Sequence, residues 1–173
     1  AGLTYSTRNF ASLDQSMHLI IENGGIEKKV NSWSFHSNFD QYLYEPKKGQ
    51  GIGIFGRFGA SDGNPNPVHY FYSLGIGGKG VSGRPLDQFG IGYYYMDIKN
   101  PKFTGPVETR ELLRDEYGVE AYYSCAITPW MKLTPDIQFV RGAQKEKLVS
   151  ITPPTKKSVD TATVVGLRLQ LVF

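Results

Sequence analysis

Polar side chains in this sequence recur at every second position between apolar ones. His36, Asn38 and Asp40 stand two apart, as do Asp136 and Gln138 and, near the end, Arg168 and Gln170; Arg57 and Glu120 stand singly in similar surroundings. The two arginines present rigid forks of donors, the three carboxylates accept, and the amides do both. This is hydrogen-bonding chemistry of both polarities, not a ring of one sign.

Patterns that carry catalysis or metal are incomplete. The glycines at 51, 53 and 56 match the form GxGxxG, but no helix is expected after them. They read instead as relief of crowding within a strand. Asp62, Asn64 and Asn66 have the spacing that opens a calcium loop, yet Pro65 and Pro67 interrupt it and the downstream Glu is missing. His18, His36 and His69 lack metal-ligand spacing. The lone Cys125 excludes an internal disulfide and a CxxC motif, and its place among apolar positions suits a packed side chain. Glu108, Glu111, Asp115 and Glu116 supply enough carboxylates for a glycosidase pair. They fall in or beside a long connection with helical character over 111–115, where a solvated face is the simpler reading. No enzyme activity, cofactor or metal is expected.

The elements that position these residues are strands. At 173 residues one domain is expected. Mean hydropathy is −0.32, and no window approaches the ~18 apolar residues of a membrane helix. A barrel that alternates lipid-facing and lumen-facing residues would have this ordinary average. The net charge of +3 is small, and its lysine pairs at 28–29, 47–48 and 156–157 are scattered, so no nucleic-acid partner is expected. The start, Ala1-Gly2-Leu3, has neither a charged head nor an apolar core, which is expected of a mature chain or a fragment.

Period-2 alternation predicts strands near 2–7, 31–45, 51–60, 67–77, 87–97, 116–127, 130–141 and 160–173. Trp33, Tyr72, Tyr93, Val119, Phe139 and Leu169 fall on one side. The other side carries Asp40, Arg57, Glu120, Lys132, Asp136 and Arg168. Within the alternating runs the apolar side has no charged residue. That is expected in lipid, where a mid-membrane Arg or Lys costs about 2–4 kcal/mol. A soluble sandwich also alternates, but its outer face would hold more Lys, Glu and Thr than the Gly, Ser and Tyr found here. Connections 45–49 and 128–130 are short and 8–30, 97–115 and 142–159 are long; in strand order 77–87 then falls on the short side and 60–67 on the long side. Short periplasmic turns and long outer loops give this order in outer-membrane barrels.

Several separated blocks resemble the carbohydrate-selective porin family, OprB. They are FDQYLYEP from Phe39, FGRFGASDGNPNP from Phe55, DQFGIGYYY from Asp87, GVEAYYSCAITPWMKLTPDIQ from Gly118 and DTATVVGLRLQLVF from Asp160. The closing alternation to Phe173 also resembles the insertion signal of outer-membrane barrels. The resemblance implies an all-β, antiparallel transmembrane barrel of about 16 strands. Roughly eight of those strands would lie in this chain as the C-terminal half, completed by an N-terminal half. It implies a Gram-negative outer-membrane pore for passive diffusion of sugars such as glucose, in contact with outer-membrane lipid. Pore-lining candidates are then Arg57 first, with His36, Asn38, Asp40, Glu120, Asp136, Gln138, Arg168 and Gln170. Phe55, Phe71 and Tyr122 would stack on sugar rings. Two rival readings are a complete eight-stranded outer-membrane protein with a structural, adhesive or lipid-modifying role, and a soluble sugar-binding sandwich or lipocalin-like barrel.

Overall fold

The computed structural model describes residues 1–80, 83–104, 113–151 and 154–172. Its main body is one eight-stranded antiparallel sheet. The strands are β1 (Gly2–Ala11), β3 (Lys28–Lys47), β4 (Gln50–Ser61), β5 (Val68–Lys79), β6 (Gln88–Ile98), β8 (Glu116–Thr128), β9 (Met131–Arg141) and β12 (Ala162–Leu171). Each pairs with its predecessor in the sheet, giving the order β1-β3-β4-β5-β6-β8-β9-β12. The two end strands, β1 and β12, are both edges.

Five minor elements among the described residues occupy the long connections. β2 (Gln15–Ser16) pairs in parallel with β7 (Phe103–Thr104), and β10 (Glu146–Ile151) forms a hairpin with β11 (Pro154–Ser158). α1 (Met17–Asn23) is a single short helix closed by Gly24 in the left-handed conformation, a conformation glycine adopts without a Cβ penalty. Among the described residues no helix is long and apolar enough to cross a membrane, which says nothing of strands. The helical character expected over 111–115 is absent from its described part, where Leu113 instead forms an isolated bridge to Gln144.

Register fixes which side chains share a face. The pairs Asn38–Arg57, Arg57–Ser73, Ser73–Tyr94 and Tyr94–Gly118 form one row. A second runs Asp40–Phe55–Gly75–Gly92–Glu120–Gln138, and a third Tyr42–Gly53–Gly77–Gly90–Tyr122–Asp136–Gly166. All lie on the polar face. The opposite face carries rows such as Gln41–Ile54–Ile76–Ile91–Ala121–Ile137–Val165.

That second face is not covered. No hydrophobic residue among the described ones is buried, and Leu3, Val165 and Leu167 are each more than 70% exposed. The soluble-sandwich reading requires this side wrapped in a core, and Trp33, Tyr72, Tyr93 and Leu169 are instead 41–58% exposed. Toward the long connections the same face carries a belt of rings: Phe35 to Phe58 at 6.1 Å, Phe58 to Tyr72 at 5.4 Å, Tyr72 to Tyr95 at 6.3 Å and Tyr93 to Tyr117 at 6.5 Å.

Three local departures from strict alternation follow from the backbone. A register shift between Tyr42 and Tyr44 pairs Tyr44 with Ile52, so Tyr44 leaves the polar face on which alternation places it. The ladder between β8 and β9 lapses opposite Pro135, which has no N–H to donate. There the Thr134 hydroxyl donates to Ser124 Oγ at 3.0 Å. Finally, the apolar face does carry charge at its margin. Arg141 closes β9 there, its guanidinium 5.7 Å from the centre of the Tyr117 ring, and Asp97 pairs with Tyr70 near the end of β6.

Candidate functional site

Every pore-lining candidate falls on the polar face, but the sheet spreads them across many strands. Arg57 and Asn38 meet directly: Arg57 Nε donates to Asn38 Oδ1 at 2.9 Å. With Asp40, Phe55 and Ser73 they border a hollow of about 460 Å³. Neither Arg57 nor Asp40 has an ion-pair partner among the described residues, so the remaining guanidinium donors face open space. Asp136 and Gln138 also meet, Gln138 Nε2 donating to Asp136 Oδ1 at 3.2 Å. The Asp136 carboxylate lies flat over Gly166, where a Cβ would meet an oxygen of Asp136 at 2.3 Å.

Glu120 pairs in register with Gln138 and stands exposed at the polar surface. Arg168 and Gln170 face Thr134 and Lys132 near the end of β12. His36 stands apart, its ring over Gly2 in the first strand. His18 pairs with Glu22 and His69 with Asp97, so the three histidines do not converge. Glu108, Glu111 and Phe173 lie outside the described residues.

Bare backbone shapes this face as much as polar side chains do. Phe55 lies across Gly75, Tyr122 across Gly90 and Tyr94 across Gly118; a Cβ on those glycines would sit 2.3, 2.6 and 2.6 Å from the rings. Rings pack on glycine in this way because the missing side chain leaves the pleat open. A hollow of about 350 Å³ is bordered by Phe55, Ser73, Tyr94, Glu120 and Tyr122. Another, of about 280 Å³, lies among Asp40, Tyr42, Phe55, Lys79, Gln88 and Tyr122. Phe55 borders all three.

Sequence reasoning missed Lys79 because Gly77-Gly78 reads as a strand end, whereas β5 continues to Lys79. Gln88 shares a hollow with Asp40, and Tyr94 shares one with Glu120, groupings that alternation alone does not give.

Outside the strands, two polar clusters hold the connections. On the short-turn side Asp87, only 5% exposed, accepts from Arg84 Nε and the Tyr123 hydroxyl, both at 2.5 Å, and from the Ala126 N–H at 2.9 Å. The bond from Arg84, then that from Tyr123, hold its carboxyl far below the usual carboxylate range.

On the long-connection side Asn64 is buried. Its Oδ1 accepts from the Leu13 N–H at 2.9 Å and its Nδ2 donates to Ser12 Oγ at 2.8 Å. Asp14 Oδ1 accepts from the Lys102 N–H, and Lys29 Nζ bonds Asp62 at 2.6 Å. Burial pushes the Asp62 carboxyl up, but Lys29 and the Asn64 N–H outweigh it and the net shift is downward. The loops after β1, β4 and β6 are thereby tied into one unit.

Comparisons with known proteins agree with this architecture. The family model described as carbohydrate-selective porin, OprB family, matches residues 1–173. Porin B of Pseudomonas aeruginosa is 25% identical over 139 residues, covering 72% of this chain and 28% of that protein. Porin AaxA of Chlamydia pneumoniae is 30% identical over 148 residues, covering 83% of this chain and again 28% of the relative. The chain therefore spans under a third of the length of these curated relatives. The high-pH structure of Pseudomonas putida OprB superposes with a TM-score of 0.72 at 20% identity, over 98% of this chain and 43% of that one. The sheet thus has the shape of a continuous arc of a porin barrel wall, and the chain belongs to the carbohydrate-selective porin, OprB, family.

Proposed function

We propose that this chain is the C-terminal part of a bacterial outer-membrane pore that lets sugars such as glucose diffuse passively across the membrane. The observation that carries the reading is the exposed apolar face of the sheet, backed by a polar face with unpaired donors and acceptors. Water around Leu3, Val165 and Leu167 would be unfavourable at about 25 cal/mol per Å² of apolar surface. Hydrocarbon removes that cost.

The belt of tyrosine and phenylalanine rings lies where an interfacial girdle is found in such barrels, and Arg141 and Asp97 sit at its margin. Strands of 10 to 20 residues are long enough for the ~9–11 needed to cross at a tilt. Both sheet edges must be paired, because a backbone edge in lipid leaves N–H and C=O groups unsatisfied at several kcal/mol each. An N-terminal half supplying strands against β1 and β12 would meet that demand and enlarge the interior to a water-filled channel. The eight strands here do not close on themselves.

In the pore, Arg57, Asn38, His36 and Asp40 on one side, and Glu120, Asp136, Gln138, Arg168 and Gln170 on the other, exchange hydrogen bonds with sugar hydroxyls. Selectivity of this kind arises from pore width and the lining donors and acceptors. No covalent chemistry is involved.

The test is liposome swelling with the complete polypeptide, comparing glucose with salts of similar hydrated size. Faster sugar entry supports the reading. Equal entry of every solute below a size limit removes sugar selectivity, and no swelling removes the pore.

A further inference from the structure

We propose that the hollow bordered by Phe55, Tyr122 and Glu120 is a stacking subsite for one neutral pyranose ring, a deepening that rests on the pore reading above. Gly90 and Gly92 border it, and the two rings lie on glycine backbone. In the row Phe55–Gly75–Gly92–Glu120, two adjacent strands contribute glycine, and in the next row Gly77–Gly90–Tyr122 they do so again. Four glycines on β5 and β6 thus leave a notch two strands wide, about 10 Å at the usual strand spacing, which the two rings partly fill over Gly75 and Gly90.

Phe55 leans into the notch from β4 and Tyr122 from β8. Both rings lie along the wall, and both remain open to solvent, at 39% and 37% exposure. Glu120 stands at the far end of the Phe55 row with no hydrogen bond or ion pair among the described residues. Ser73 and Tyr94 close the upper border of the same hollow, whose volume is about 350 Å³.

These parts match the two sides of a cyclic sugar. A pyranose has a flat C–H face that packs on an aromatic ring, and a rim of hydroxyls that donates to an ionised carboxylate. Binding sites for small polar ligands combine such an apolar wall with a few placed acceptors. An open-chain polyol has the hydroxyls but no rigid face.

Packing alone does not explain the arrangement. On the apolar face Phe39 lies over Gly56 and Phe89 over Gly78 in the same way, with no carboxylate in those rows beside them. The ring-on-glycine device is general to this sheet, whereas the unpaired acceptor next to two rings occurs at the hollow.

The test uses the complete polypeptide in planar bilayers, measuring glucose block of ion current, together with liposome fluxes of glucose and sorbitol. E120Q and F55L are each expected to raise the glucose concentration for half-block by roughly tenfold, the loss of one charge-assisted or stacking contact. F39L, on the opposite face, is expected to leave it unchanged. Sorbitol flux should follow wild type in F39L, and F55L should change it far less than it changes glucose flux.

F55W keeps a ring in place and gives a second readout. Its emission, taken as a difference from wild type, should shift on adding glucose and not on adding sorbitol. Wild-type half-block in both E120Q and F55L, or an F55W emission blind to glucose, overturns the subsite while leaving the pore. A wild-type protein that passes no sugar overturns the pore reading, and the subsite falls with it.

Discussion

Gly51 shows how tightly single positions are constrained in this sheet. Its φ of +154° and a neighbouring Tyr44 carbonyl oxygen, 1.9 Å from where a Cβ would be, leave no room for any side chain. Gly51→Ala is expected to destabilise the β3–β4 hairpin on the order of 3 kcal/mol, because the obstacle is backbone and cannot swing aside. Thermal unfolding in detergent, scored by loss of far-ultraviolet strand signal, would measure it; an unchanged midpoint would contradict the clash.

Asp87 is constrained through its bonds. Its carboxyl is held below the ordinary range, so the clamp on Arg84, Tyr123 and Ala126 is complete at neutral pH and is lost as the pH falls through the lowered folded value. Asp87→Asn, which keeps the shape and removes the charge, is expected to make the 80–87 connection protease-sensitive at neutral pH. Resistance equal to wild type would show that the charge is dispensable. Alternation pointed to Asp40 and Arg57, but a buried anion such as Asp87 has no signature in sequence. Its partners are Arg84 in its own connection and Tyr123 and Ala126 in β8, well downstream along the chain.

At the scale of elements, the tied long connections are the most specific construction. Asn64 alone satisfies backbone and side-chain groups of the loop after β1, and Asp14 reaches on to the loop after β6. Asn64→Ala leaves the Leu13 N–H without its acceptor and is expected to cost roughly 2 kcal/mol locally. Hydrogen exchange in 12–27 and 99–104 should rise together; a rise confined to 62–67 would show the loops to be independent. Asp62 adds a pH dependence of known sign. Its lowered carboxyl stabilises the loops fully above about pH 3.8, and that contribution fades on further acidification. Asp62→Asn should flatten the acid dependence of loop exchange.

Much at this scale was legible in the residues. Eight alternating runs became eight strands because register slips are penalised wherever the two faces differ. Strand ends were less legible. Gly77-Gly78 looks like a stop but continues β5, since Phe89 covers the bare position at Gly78. Tyr44 changes sides through a register shift that no pattern of hydrophobicity announces.

For the whole molecule, the open edges decide behaviour. Residues 1–173 expressed alone are expected to reach lipid with β1 and β12 unpaired, and to associate or precipitate instead of forming a monomeric conducting barrel. Sedimentation in detergent checks this. A monodisperse monomer with intact strand signal would mean the eight strands close by themselves. The polar-face site was legible only as a list of residues. Which of them meet depends on the stagger between strands, and glycines that leave the notch count as nothing until the rings above them are placed.

The parallel pairing of Gln15–Ser16 with Phe103–Thr104 has a temporal consequence. Every neighbour in the main sheet is also a neighbour in sequence, so the wall can be laid down hairpin after hairpin at little entropic cost. That one clasp joins segments separated by about half of the chain, and loop closure disfavours it until the intervening strands stand in place. It must lock late, so a label or antibody that detects it would serve as a clock for completed assembly.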